Sequence, residues 1–147
     1  RSLVERAMAM RRAGPYQIQA AIAALHDEAS SWAATDWRQI VGLYRALMTL
    51  EPSPVVELNL AVAVAMAEGP AVGLAMIDGL AADGTLDEYP YLHAARADLL
   101  RRLDRRTEAA TAYRRAADLT TNLTEQAFLE RRLVSLSEPE PPSGRLS

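Results

Sequence analysis

The stretch LLRRLDRRTEAATAYRRAADL, residues 99–119, decides the fold. Leu99, Leu100 and Leu103 end one helical pattern, Asp104 to Arg106 turn the chain, and Ala109, Tyr113 and Ala116 recur at the spacing of a second helix. Two small residues flanking one aromatic let helix backbones approach closely while the ring fills the space between them. A helical hairpin is therefore expected, with Tyr113 at its centre.

The same pattern continues in both directions. Upstream, AADGTLDEYP is a loop leading into YLHAARADLLRRL; downstream, Asn122 or Thr124 is positioned to cap EQAFLERRLVSL. Asp36 is an N-cap candidate for WRQIVGLYRALMTL, in which Ile40, Leu43, Tyr44, Leu47 and Leu50 form one stripe. EPSP at 51–54 stops that helix, and Ser53 with Pro54 starts VVELNLAVAVAMAE. Gly69 ends this helix and Pro70 begins another that runs to Leu80. Near the beginning, Leu3, Val4, Ala7 and Met8 mark a short helix to Arg12, and GPYQIQAAIAALH opens a second over 15–29. The spacing thus predicts about eight helices in a domain over 1–136. SEPEPPSGRLS, residues 137–147, is expected to be a disordered tail.

Composition agrees with an all-α protein. Half of the residues are hydrophobic, yet aromatics make up only 5%, so close helix contacts must replace bulky side chains. The net charge of −3 leaves no broad basic face for a nucleic-acid backbone, and no direct nucleic-acid binding is expected. The paired arginines, such as Arg101 and Arg102 or Arg131 and Arg132, read as solvated helix faces matched by acids. No stretch approaches the roughly 20 apolar residues of a membrane span. With no cysteine, disulfides and thiolate chemistry are excluded, and a cytoplasmic location is expected. Arg1 opens on RSLVERAMAM, mid-helix in character, so the chain reads as a fragment of a longer protein.

Residues 99–119 resemble the second half of a tetratricopeptide repeat (TPR), with Asp104 where a glycine is usual. Gly69 lies 35 residues before Asp104, and that offset sets Ala65 on Leu100, Val62 on Ala97, Leu74 on Ala109 and Ala81 on Ala116. Tyr44 followed by Pro52 repeats the aromatic and proline spacing of the motif. The expected architecture is a right-handed array of antiparallel helical hairpins, a TPR-like α-solenoid. Such an array lines its concave face with the first helix of each hairpin. That assigns to the face Val56, Asn59, Ala63 and Met66, then Tyr91, Ala94, Asp98 and Arg101.

Taken in order, GPYQIQAAIAALH, TDWRQIVGLYRALMTLEPSPVVELNLAVAVAMAEGPAVGLAMID and HAARADLLRRL resemble the C-terminal TPR-like extension of a group of bacterial extracytoplasmic-function RNA polymerase sigma factors, over roughly residues 1–136. The resemblance implies a non-enzymatic domain that modulates transcription initiation through protein contacts. Its partners would be its own sigma regions, RNA polymerase or a separate regulator. The family often carries a basic residue after the asparagine of its PSPVV...LN string, where this chain has Leu60, so a charged contact there does not carry over.

Candidate sites follow from residue chemistry. His26 and His93 stand far apart without a helical ligand partner, so no catalytic or metal role and no cofactor is assigned; a capping or inter-helix bond suits them. Asp27 with Glu28 and Asp87 with Glu88 sit at helix ends or loops, and DGTLDE at 83–88 lacks the alternating ligands of a calcium loop. The groove candidates are Gln19, His26, Asn59, Ala63, Met66, Tyr91, Asp98 and Arg101. Asn59 suits either a peptide backbone or a bond to a neighbouring hairpin. Gln19 and His26 share a helix face and suit either a groove or the loop at 30–35, which Trp32 and Trp37 flank. Two other readings use the same residues: a stand-alone TPR scaffold, and a small-molecule sensor with a pocket of Gln19, His26, Asn59 and His93.

Overall fold

The computed structural model describes residues 36–137, and among them all regular structure is α-helical, with no strand. Six helices are present in this range rather than the eight or so expected for the chain: α1 (Trp37–Leu50), α2 (Pro54–Glu68), α3 (Pro70–Ala81), α4 (Pro90–Arg102), α5 (Arg106–Leu119) and α6 (Leu123–Ser137). The two further helices expected over 3–12 and 15–29, and the tail from 138, lie outside the described residues. The chain divides into two compact units, Arg1–Leu86 and Asp87–Ser147.

In the first unit, Asp36 caps α1 by accepting from the Gln39 backbone N–H at 3.2 Å. Ser53 caps α2 by accepting from Val55 and Val56, with Pro54 in the first turn. Ile40, Leu43 and Leu47 of α1 are almost fully buried, and they meet Val56, Leu60, Ala63 and Val64 of α2 in one cluster. Full burial of each branched side chain stabilises by about 1.5–3 kcal/mol. Leu60, where the resembling family often has a basic residue, belongs to this core and is 8% exposed. A charge at this position would have to leave water.

α2 is buried on most of its circumference because α3 covers its other side. At Gly69 the backbone has φ 112° and ψ 154°, a region essentially reserved for glycine, and this one residue links α2 to α3. Gly73 then lies against α2: a Cβ built there would stand 2.4 Å from Ala65 Cβ and 2.9 Å from the Ala61 carbonyl oxygen. The helices touch backbone to backbone.

In the second unit, α5 packs between α4 and α6. Asp104, at φ 60°, completes the turn after α4: its N–H donates to the Arg101 carbonyl at 3.0 Å, and the Arg105 N–H donates to the Leu100 carbonyl at 2.9 Å. These are the two reverse bonds of a Schellman motif, so Asp104 holds the left-handed position that glycine commonly takes. Ala109, Ala112, Tyr113 and Ala116 are buried on α5, with Tyr113 the largest fully buried side chain. Asn122 accepts from the Glu125 N–H at 2.9 Å and so caps α6; Thr124 does not. At the far end of α6, Arg106 donates to the carbonyls of Ser135 and Leu136 and ties down the last turn.

Two offsets relate the helices of the two units. Pro54 and Pro90 open α2 and α4 36 residues apart, and this offset sets Val56 on Leu92, Ala61 on Ala97, Val64 on Leu100, Gly73 on Ala109, Ile77 on Tyr113 and Leu80 on Ala116, all of them buried. The 35-residue offset anchored on Gly69 and Asp104 instead pairs exposed Asp78 with buried Tyr113. It also sets Leu60 on Ala95, Leu74 on Ala109 and Ile77 on Ala112, all of them buried.

Gly73 and Gly79 lie on the same helix in opposite surroundings, since nothing stands within 4 Å of a Cβ at Gly79. Gly73→Ala is expected to destabilise the protein by about 1–3 kcal/mol through overpacking. Gly79→Ala should stabilise it by about 0.4–1 kcal/mol. Urea denaturation of the two variants beside the wild type checks both signs.

Candidate functional site

Unit two contains the described surface richest in exposed aromatics. Tyr89 precedes α4 and Tyr91 lies in its first turn, with Pro90 between them; their rings meet edge to face at 6.3 Å and 83°. From α6, Phe128 stands 45% exposed beside buried Leu129. Together with Ala94 and Glu125 these residues line a cleft of ≈ 510 Å³.

One turn further along α6, Arg132 lies over the Phe128 ring, 5.1 Å from its centroid. Its Nε is buried and has no hydrogen-bond partner, and no carboxylate among the described residues pairs with it. Its positive charge is felt at Tyr113 on α5.

Alongside runs a satisfied polar node. Asp98 takes Arg101 at 2.6 Å and Arg102 at 2.9 Å, while Arg101 Nε donates to the Tyr113 hydroxyl at 3.3 Å. Burial works to lower the Arg101 pKa, but the bonds to Asp98 and Tyr113 outweigh it and the net shift is upward. Burial raises the Tyr113 phenol above its ordinary value, and burial likewise raises Tyr44. At the exposed start of α5, a two-pronged hydrogen bond from Arg105 holds Glu108 below the usual carboxylate range.

The expected groove residues separate into distinct environments. Tyr91 lines the cleft, and Ala94 lies beside it on the same face of α4. Asp98 and Arg101 follow at helical spacing, bonded to each other. On α2, Ala63 is 2% exposed and Val56 is also core, so neither offers a side chain to a partner. Asn59 and Met66 are half-buried, and Asn59 makes no side-chain hydrogen bond among the described residues. Gln19 and His26 lie outside the described residues. The structure therefore brings Tyr91 and Ala94 together with Phe128, Leu129 and Glu125, and places Asn59, Ala63 and Met66 in the other unit.

His93 has a positional role: its Nε2–H donates to the Asp87 carbonyl at 2.7 Å, and Arg115 reaches the same oxygen at 3.4 Å. Asp83 closes a local turn by accepting from the Thr85 N–H at 2.9 Å, and that backbone bond lowers its pKa. Among the described residues no three His, Asp or Glu side chains gather as a metal site, and no helix is long and apolar enough to cross a membrane.

Sequence reasoning passed over Tyr89, Glu125, Phe128 and Arg132 as site members. Two signals were available: Phe128 is the chain's one phenylalanine, and Arg132 follows it by one helical turn. Their meeting with Tyr91 depends on packing between helices more than 30 residues apart.

The chain is 49% identical over 136 residues to an uncharacterized protein of Rhizobium meliloti (strain 1021), a match covering 92% of this chain. It spans about a third of that relative's length, 32%. No family model matches the chain, and no solved structure matches it.

Tyr113 and Tyr44 give a pH test. A phenol whose folded pKa is raised contributes stability that is complete below the unfolded value of about 10 and is lost as pH rises through the folded value. All 16 basic residues are arginines and there is no cysteine, so few other side chains titrate in this window. Unfolding free energy should stay level between about pH 8.5 and 9.5 and fall above about 10. Tyr113→Phe should flatten that fall and cost about 1 kcal/mol at neutral pH through the bond lost from Arg101. Urea titrations at pH 7, 9 and 11 check this.

Proposed function

We propose that this chain is a TPR-like array of helical hairpins that serves as a non-enzymatic, regulatory protein-interaction domain of an RNA polymerase sigma factor. It modulates transcription initiation through contacts with its own sigma regions, the polymerase or a regulator. The cleft of Tyr89, Tyr91 and Phe128 carries the interaction reading: exposed tyrosine and phenylalanine beside an arginine make the kind of surface on which binding energy concentrates. The hairpin reading is supported by the 36-residue register and by the small residues at Ala61, Ala65 and Gly73 and at Ala109 and Ala116. The sigma-factor assignment rests on the resemblance of the ordered strings from GPYQIQAAIAALH to HAARADLLRRL. The relative's greater length leaves room in that protein for further domains. Within this reading the partner is proteinaceous and the compartment cytoplasmic.

Tyr91→Ala combined with Phe128→Ala, in the intact protein that carries this region, is the direct test. Both side chains are at least 40% exposed, so circular dichroism should remain unchanged. Partner recovery by affinity capture should fall by on the order of 30-fold, the loss of a hot-spot contact of about 2 kcal/mol. Promoter-specific transcription should change with it. Unchanged recovery together with unchanged transcription would remove the reading.

A further inference from the structure

Among the described residues that line the cleft of Tyr89, Tyr91 and Phe128, Glu125 alone is charged. Arg132, over the Phe128 ring, lies outside this lining. Glu125 Oε1 accepts from the Thr120 hydroxyl at 3.4 Å, and no arginine among the described residues pairs with the carboxylate. A purely apolar occupant would take water from that carboxylate and give nothing back, which is costly. The lining therefore favours a guest that is positive as well as apolar.

Ring geometry agrees. The Tyr89 and Tyr91 planes stand at 83° with centroids 6.3 Å apart, so one flat group cannot stack on both. A cation in the corner they form is drawn by the π density of each ring, and Phe128, 45% exposed on α6, supplies a third.

We propose that this cleft is an arginine-binding site, which receives the side chain from a protein partner, sets its guanidinium among the three rings and pairs it with the Glu125 carboxylate.

A guanidinium suits these groups better than an ammonium does. It is planar and weakly hydrated, so its face can lie on a ring while its edge gives two parallel N–H bonds to a carboxylate. Lysine would surrender more hydration for a point contact. The cleft, at ≈ 510 Å³, falls within the roughly 300–1,000 Å³ of ligand pockets. Its walls are also held in place before any partner arrives. Pro90 starts α4 between the two tyrosines, Asn122 accepts from the Glu125 N–H at 2.9 Å, and buried Leu129 anchors α6 beside Phe128. Little ordering is left for binding to bring about.

This inference deepens the interaction reading above and rests on the partner being a protein, but it is independent of the sigma-factor assignment. The test titrates N-acetylarginine methylamide, its uncharged citrulline counterpart, its lysine counterpart and tetramethylammonium into the nitrogen-15-labelled chain and follows the amides by NMR. Amides of residues 89–94 and 125–129 should move with the arginine probe, and the citrulline probe should bind at least about fivefold more weakly. Glu125→Gln should weaken the arginine probe about five- to tenfold and leave the citrulline probe unchanged. Tyr91→Leu and Phe128→Leu keep apolar bulk, so each should leave circular dichroism unchanged while weakening the arginine probe about two- to fivefold.

Equal affinity for arginine and citrulline, or shifts confined to other residues, would overturn the proposal. Tighter binding of the lysine probe or of tetramethylammonium would assign the cleft to a different cation and overturn it too. Partner recovery in the intact protein separates this inference from the reading beneath it, and Glu125→Gln should lower recovery by a factor similar to its effect on the probe. If recovery falls with Tyr91→Ala and Phe128→Ala but ignores Glu125→Gln, the protein-interaction reading stands and the arginine site fails. If the probes bind as expected yet recovery ignores all three substitutions, the cleft keeps its preference for arginine and the function proposed above fails.

Discussion

α3 lies so close to α2 that one methyl group added at Gly73 would overlap Ala65. That contact sets the rules for the described first unit. A chain with a single phenylalanine and two tryptophans has little bulk with which to fill an interior. It builds its core by bringing helix backbones together, and close approach tolerates only glycine and alanine at the contact. The second unit solves the same problem with Ala109, Ala112 and Ala116, and fills the remaining space with Tyr113. Because the ring carries a hydroxyl, filling that space also required a hydrogen-bond partner, and Arg101 supplies it.

From that bond the polar layout of the second unit follows. Arg101 is oriented by Asp98, which also takes Arg102; these pairs are about one-third exposed, so screening keeps each to under about 1 kcal/mol. Their effect is positional, since they hold one arginine at the buried phenol. Arg132 stands in contrast, supported by the face of Phe128 and by no carboxylate among the described residues. One side of this surface is complete within the described chain, and the other is not.

Much of the local structure was legible in the sequence. Asp36 and Ser53 signalled their caps, Gly69 and Pro70 the tightest turn, and Asp104 the hairpin centred on residues 99–119. α2 runs 15 residues and closes through one glycine, whereas α4 runs 13 and closes through three residues; the following helices therefore start in step although the positive-φ residues do not. Ala63 was legible as a small residue at helical spacing, but a helix covered on most of its circumference presents no free face for that spacing to identify. The cleft was legible only in half: α4 spacing pointed to Tyr91 and Ala94, while Phe128 and Arg132 are joined to them by packing that no local pattern encodes.

The central claim is that this protein recognises peptide at the cleft between the start of α4 and α6. A photo-crosslinking aromatic amino acid placed at Tyr91, with a second placed at Val134 on the exposed flank of α6, tests it in the intact protein. The account predicts crosslinks from position 91 to a protein partner, and none from position 134 to the same partner. Crosslinks from 134 alone, or none from 91 under conditions where the protein is active, would contradict it.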